Sequence, residues 1–286
     1  MNDFYYGLAS GSTGNAGLLV LDNTYFLIDL GVSVRRLKSL LDKQGLTIEN
    51  LDAVLITHEH SDHIKGLATF VKSYDTPIYT ACGTAEVLLQ KYPNAREQLR
   101  PFYCGASFEV GDVKVTSFAT LHDAADSVGF RFTGKRCKFG YLTDVGFIPA
   151  SVYEALVGCH AVVLESNYDP EMLYYGPYPP YLQERVSGPR GHLSNFDCAK
   201  FAAALVRNGT KQLILSHLSE KNNTPDMVRR EIKAVMLAER LSCTLMIAPK
   251  DEMKEPIRLA GKEHAYAGNQ LGFRWKTGGK VLETGL

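Results

Sequence analysis

No two of the six cysteines (Cys82, Cys104, Cys137, Cys159, Cys198, Cys243) stand in a C-x-x-C spacing. That leaves no zinc-ribbon or thioredoxin-like signature to read. The scattered thiols, with no leader-like opening segment, are those expected of a reduced cytoplasmic protein. No apolar run approaches the roughly 18 residues of a membrane-crossing helix, so no membrane partner is expected. Net charge is lacking too, with 31 Lys and Arg against 31 Asp and Glu. This excludes the chain-wide basic field that drives non-specific binding to nucleic acid, though not a local basic groove. With 286 residues, the chain can bury about 75% of its unfolded surface, so no metal staple is needed for folding. Clustered metal-ligand residues in such a chain point to chemistry rather than to structure.

Such a cluster is present. Thr57-His58-Glu59-His60-Ser61-Asp62-His63 places three histidines and an aspartate in six positions. It follows Ala53-Val54-Leu55-Ile56, a short branched apolar run that reads as a buried strand. Polar side chains crowded at a strand's end must be satisfied. A divalent ion does this, and a mixed imidazole and carboxylate set suits Zn, Mn, Fe or Ni.

Along the rest of the chain, the first ninety residues alternate strand and helix. A hairpin turns at Asp22-Asn23, and a helix capped by Ser33 runs to about Lys43. A second helix is expected from Ile64 to about Tyr74, and a third over Thr84–Lys91. Four short strands between Ser107 and Leu142 read as an antiparallel meander. Buried strands at 161–164, 212–215 and 244–248, with helices to Val206 and Arg240, form a second α/β run. Residues 1–250 are expected to form the catalytic domain, with 251–286 as an extension. Residues 168–191 hold five tyrosines and five prolines and read as a semi-rigid lid or wall rather than a regular core element. The loop Ser10-Gly11-Ser12-Thr13-Gly14-Asn15 offers backbone N–H groups that can cradle an anion, or is a plain turn.

The eight histidines are His58, His60, His63, His122, His160, His192, His217 and His264. Several end inferred strands, as do Asp29 and Asp144. One ion is assigned to His58, His60 and His122 and another to Asp62, His63 and His217, with Asp144 bridging. That count closes with a bridging hydroxide as nucleophile. Asp29 can orient a ligand histidine. His160 and His264 read as structural or solvated.

Thr-His-x-His-x-Asp-His after an apolar strand, followed in order by His122, Asp144 and His217, resembles the metallo-β-lactamase-fold hydrolases. The resemblance implies an αβ/βα sandwich with two mixed sheets flanked by helices and a dinuclear site. Ser10–Asn15, His122–Asp126, Glu165-Ser166-Asn167, Gly191–Asn195 and His217-Leu218-Ser219 are similar to the YycJ-like group, which implies 5′→3′ exonuclease action on DNA. That group often carries a histidine where this chain has Tyr168. Only residues 145–216 separate Asp144 from His217, too few for the extra domain of RNase J-type nucleases. By position, Glu165 and His192 resemble the RNase Z dyad beside the scissile phosphate. A carboxylate there holds the imidazole protonated, ready for a leaving alkoxide.

The sequence therefore leads to a dinuclear phosphodiesterase acting on nucleic acid, DNA first. Asp62, Glu165 and His192 are its catalytic candidates, and Ser12, Asn15, Tyr178 and Arg185 its substrate contacts. Tyr174, Tyr175, Tyr178 and Tyr181 can stack on bases or simply pack the lid. The alternative is a hydrolase of a small cyclic phosphodiester, thioester or lactone.

Overall fold

The computed structural model describes residues 3–259 and the backbone of two strands, 272–277 and 280–285. His264 lies outside the described residues. The chain divides into two compact units, one of Met1–Ala119, Asp123–Lys135 and Pro249–Arg258, the other of Thr120–His122, Arg136–Ala248 and Leu259–Leu286.

In the first unit, β1 (Phe4–Ala9), β2 (Ala16–Leu21) and β3 (Thr24–Ile28) form an antiparallel meander. The β2–β3 turn puts Asp22 and Asn23 at positive φ, 47° and 63°, a conformation that these two residue types tolerate. Helix α1 (Val34–Asp42) begins where the Ser33 hydroxyl accepts from the Arg36 N–H, and it buries Val34, Leu37, Leu40 and Leu41 on one face. β4 (Ala53–Leu55) then joins β3 in parallel. It is buried throughout, as its uninterrupted apolar run requires.

The single helix expected from Ile64 is instead two one-turn pieces, α2 (Ser61–Ile64) and α3 (Leu67–Phe70). Gly66 sits between them. A Cβ there would strike the Val32 carbonyl oxygen and the Leu30 side chain. β5 (Ile78–Ala81), α4 (Cys82–Lys91) and β6 (Leu99–Phe102) complete the parallel part of the sheet. β6 carries Pro101, which lacks a ladder N–H, and it lies at the sheet's edge as that lack demands. Ile257–Arg258 pairs with β1 at the opposite edge of this seven-stranded sheet. β7 (Ser107–Val110), β8 (Val113–Ala119) and β9 (Val128–Thr133), three of the four strands expected in the meander, pair antiparallel in this order.

The second unit is built on four parallel strands, β10 (Lys138–Leu142), β11 (Ala161–Glu165), β12 (Gln212–Ser216) and β13 (Thr244–Ile247). Helix α5 (Ala150–Leu156) connects the first pair. Between β11 and β12 the chain forms α6 (Pro170–Tyr175), α7 (Pro180–Ser187) and α8 (Asn195–Arg207), and α9 (Pro225–Ala238) precedes β13. The tyrosine- and proline-rich stretch thus carries two short helices. Two of its five prolines, Pro170 and Pro180, stand at first helical positions, where their fixed φ favours the helix and no N–H is missed. Asp169 caps α6 by accepting from the Glu171 and Met172 N–H groups. Tyr174, Tyr175 and Tyr181 are exposed. His160 is structural, because its Nδ1 accepts from the Lys138 N–H at 3.0 Å.

Candidate metal centre

The first unit gathers several candidate metal ligands where β3 and β4 end. Thr57 is the pivot. Its N–H donates to Asp29 Oδ1 at 2.8 Å, and its hydroxyl lies 3.0 Å from both Asp29 oxygens. Asp29, fully buried, also faces His63 Nδ1 at 2.8 Å. With Nδ1–H donated to that carboxylate, His63 presents Nε2 as a lone pair, the tautomer needed to bind an ion. Asp62 Oδ2 lies 3.4 Å from that Nε2. Two ligands of one tetrahedral ion, each at about 2.0–2.2 Å, stand roughly 3.3–3.6 Å apart, so the pair fits a shared ion. His58 Nδ1 is 3.0 Å from the Thr57 hydroxyl, and its ring lies 4.6 Å from His60 and 4.1 Å from His63, centroid to centroid.

Four backbone N–H groups of the glycine loop are engaged within the unit. The N–H groups of Ser10, Gly11, Gly14 and Asn15 all donate within the unit, to the Lys250 carbonyl, Asn15 Oδ1, the Gly11 carbonyl and the Asp62 carbonyl. Asn15, expected against substrate, is buried. Its amide donates to Gly11 O and Asp62 Oδ2, both at 3.1 Å, and lies 3.0 Å from His63 Nε2. Its contacts hold the Asp62 carboxylate beside the His63 ring. Glu59 also turns inward, accepting from the Ala125 N–H at 2.7 Å and the Thr84 hydroxyl at 3.2 Å. Ser12 stays exposed.

In the second unit, ligand atoms of Asp144, Glu165, His192 and His217 all lie within 4.8 Å of one another. Asp144 Oδ1 stands 3.6 Å from His217 Nε2 and 3.8 Å from His122 Nε2, near the separation expected of ligands on one ion. His122 Nδ1 is 3.0 Å from the Gly191 carbonyl, and Arg190 donates twice to the His122 carbonyl. Glu165 is the hub. One oxygen is 2.7 Å from His192 Nδ1 and 2.9 Å from His217 Nδ1, while the other accepts from the Val145 and Leu193 N–H groups. Burial alone would raise this carboxyl. The His192 charge and the two imidazole hydrogen bonds override it and hold Glu165 down at about 2. Burial would likewise lower His192, but the facing Glu165 carboxylate outweighs it and His192 ends above the ordinary imidazole value. His192 keeps 22% of its side chain exposed, against 3% for His217.

Behind the hub runs an amide network that the sequence did not disclose. The Asn167 amide donates to the His217 carbonyl at 2.8 Å. Asn223 donates to the carbonyls of Ser166 and Asn167, and Asn195 donates to Asn223. This fixes the exit of β11 against the turn that carries His217. Tyr168 is buried nearby, its hydroxyl pushed up to about 12, first by burial. Tyr178 is half-buried and Arg185 exposed.

The β-lactamase superfamily domain profile matches residues 24–218. "Exodeoxyribonuclease YycJ" of Bacillus anthracis is 35% identical over 232 residues, covering 80% of this chain and 87% of that protein. "Exodeoxyribonuclease WalJ" of Streptococcus pneumoniae is 34% identical over 228 residues, 78% of this chain and 84% of that one. Among solved structures, the metallo-β-lactamase fold protein YhfI of Bacillus subtilis superposes with a TM-score of 0.65 at 18% identity, over 88% of this chain and all of its own. Human tRNase Z, short form, gives 0.60 at 16% identity, over 90% and 99%. At those identities the structures speak for the fold, two mixed sheets flanked by helices. The profile and the curated relatives together place this chain in the β-lactamase superfamily as a metal-dependent hydrolase of the YycJ/WalJ group.

Proposed function

We propose that the protein is a metal-dependent exonuclease that hydrolyses DNA phosphodiester bonds from the 5′ end, acting in the cytoplasm. The single observation that carries the proposal is Glu165, which holds His217 with the same oxygen that holds His192. A ligand histidine and a proton-bearing histidine are thereby fixed side by side, the requirement for cleaving an ester whose leaving group must be protonated. The names of the curated relatives support the polymer and the sugar type.

The ligand set assigned is His58, His60 and His122 for one ion, Asp62, His63 and His217 for the other, with Asp144 shared. Two divalent ions, Zn or Mn first and Fe or Ni next, would supply Lewis acidity to the phosphate and lower the pKa of water towards about 7. The chain's own part is orientation and proton transfer. Asp29, Glu165 and the Gly191 carbonyl each occupy a histidine Nδ1, leaving Nε2 as the ligand atom. His192, with Nδ1 on Glu165, has Nε2 to give its proton to the departing 3′ oxygen. Ser12, Tyr178 and Arg185 lie outside the ligand set and are the proposed contacts for the strand.

End-labelled single- and double-stranded DNA and RNA, incubated with the Mn- or Zn-loaded protein, test this. Metal-dependent shortening of DNA is expected, lost in His60→Ala. His192→Ala should be about 10²–10⁴-fold slower with its metal content intact. Turnover of a small cyclic phosphodiester with no polymer cleaved would replace the nuclease assignment with the small-molecule one. Loss of bound metal in His192→Ala would make His192 a ligand.

A further inference from the structure

Beside the ligand cluster of the first unit lies a cavity of about 380 Å³. Its walls carry Ser12, Thr13, Ser61, Lys65, Lys91 and Tyr92. The volume falls within the range of small-ligand pockets, roughly 300–1,000 Å³. Its chemistry is three hydroxyls, two ammonium groups and one aromatic ring.

Both lysines are exposed, and neither has an ion-pair partner among the described residues. Elsewhere on this unit Lys43 is paired with Glu252 and Lys135 with Asp112. Lys91 Nζ does stand 5.7 Å from the centre of the Tyr92 ring, close enough for a cation–π contact. One carboxylate also lines the cavity, Asp62, which Asn15 already engages and which belongs to the assigned ligand set. Two unpaired cations with hydroxyl donors call for an anion, and a half-buried tyrosine at the rim calls for a flat ring.

A phosphodiester inside a strand carries a single negative charge. A terminal phosphate monoester carries about 1.5 to 2 at pH 7. Two lysines match the second. We propose that this cavity receives the terminal 5′-phosphate and first nucleoside of the strand being degraded, so that the protein recognises a phosphorylated end. The proposal rests on the nuclease assignment above. Lys65 and Lys91 bind the phosphate, Ser12, Thr13 and Ser61 complete its hydrogen bonds, and the first base stacks on Tyr92. Asp62 on the wall then puts the bound end next to the assigned ligand set.

The test compares one DNA strand made with a 5′-phosphate, a 5′-hydroxyl or a 3′-phosphate. The wild-type protein should degrade the 5′-phosphorylated strand about ten-fold faster than the other two, the scale of one charge-assisted contact. In K65Q/K91Q that ratio should fall to about one, while Lys72→Gln, exposed and not among the residues lining the cavity, keeps it. A second arm measures binding of thymidine 5′-monophosphate, thymidine and inorganic phosphate to the metal-free full chain by calorimetry. The mononucleotide should bind more tightly than the other two, and K65Q/K91Q should lose that advantage. Equal rates on 5′-phosphate and 5′-hydroxyl ends by an active wild-type enzyme would overturn the proposal and leave the nuclease assignment standing. Binding of inorganic phosphate as tight as that of the mononucleotide would also overturn it. If no DNA is degraded the nuclease assignment falls, and with it the terminal-strand role, whatever the binding arm finds.

Discussion

Glu165→Gln is the substitution with the largest calculable effect in the second unit. Glu165 is fully buried and faces four donors, His192 Nδ1, His217 Nδ1 and the N–H groups of Val145 and Leu193. Its carboxyl is held at about 2 against an ordinary 4.5. A gap of that size, at about 1.4 kcal/mol per pH unit, corresponds to about 3 kcal/mol of folding stability at neutral pH. Glutamine keeps one acceptor oxygen but replaces the other with a donor facing donors. Leaving one or two buried donors unmatched costs about 1–3 kcal/mol each, a figure of the same size. The pH dependence follows from the sign. Between about pH 4.5 and 2 the unfolded chain binds a proton that folded Glu165 refuses, so this stabilisation is complete above the window and lost as pH falls through it. Urea denaturation of chelator-treated wild type and Glu165→Gln at a series of pH values measures it. The two should differ by about 3 kcal/mol at pH 7 and converge only towards about pH 2. A small difference that stays constant from pH 7 to pH 2 would refute the account, since Glu165 would then carry no extra charge stabilisation in the folded state.

Two further outcomes are expected. Asp29→Asn removes the carboxylate that fixes the His63 tautomer, and metal affinity should drop about 10–100-fold in a chelator competition; unchanged affinity would reduce Asp29 to a structural anchor for Thr57. Gly31→Ala would press a methyl group onto the Asp62 carbonyl oxygen and the Asn15 N–H, an overpacking cost of about 1–3 kcal/mol or more. Differential scanning fluorimetry should show a Tm lowered by about 5 °C, with weaker metal binding, and a wild-type Tm would mean that the loop can retreat freely.

What could be read in the sequence was whatever a residue type reveals by itself. β4 and β11 are uninterrupted branched runs because both faces are buried, and their ends announce His58 and Glu165. β6 escaped because only Leu99 and Phe102 of its four residues are buried, and Pro101 reads as a break. The helices α6 and α7 were hidden by composition, although Asp169-Pro170 is a cap followed by a first-turn proline. Histidine and aspartate ligands stand out singly, whereas their supports do not. The Gly191 carbonyl that holds His122 is backbone with no side chain to mark it. Asn223 meets Asn195 from 28 positions away, a distance over which no local pattern operates.

Three of these side chains leave strands from the left-handed region of backbone space. Asp29 has φ 59°, Asp144 57° and His217 57°. Asp, Asn and His are the non-glycine types that enter this region most readily, whereas most other side chains are strained there, by about 1–3 kcal/mol. Side-chain identity is therefore constrained twice, by the polar partners each must meet and by the Ramachandran map. Glutamate or cysteine would serve an ion well at position 144 but fit that backbone poorly. For mutagenesis the consequence is practical. Alanine at these positions mixes a lost polar side chain with a strained main chain, while asparagine at 29 or 144 preserves the conformation and isolates the charge.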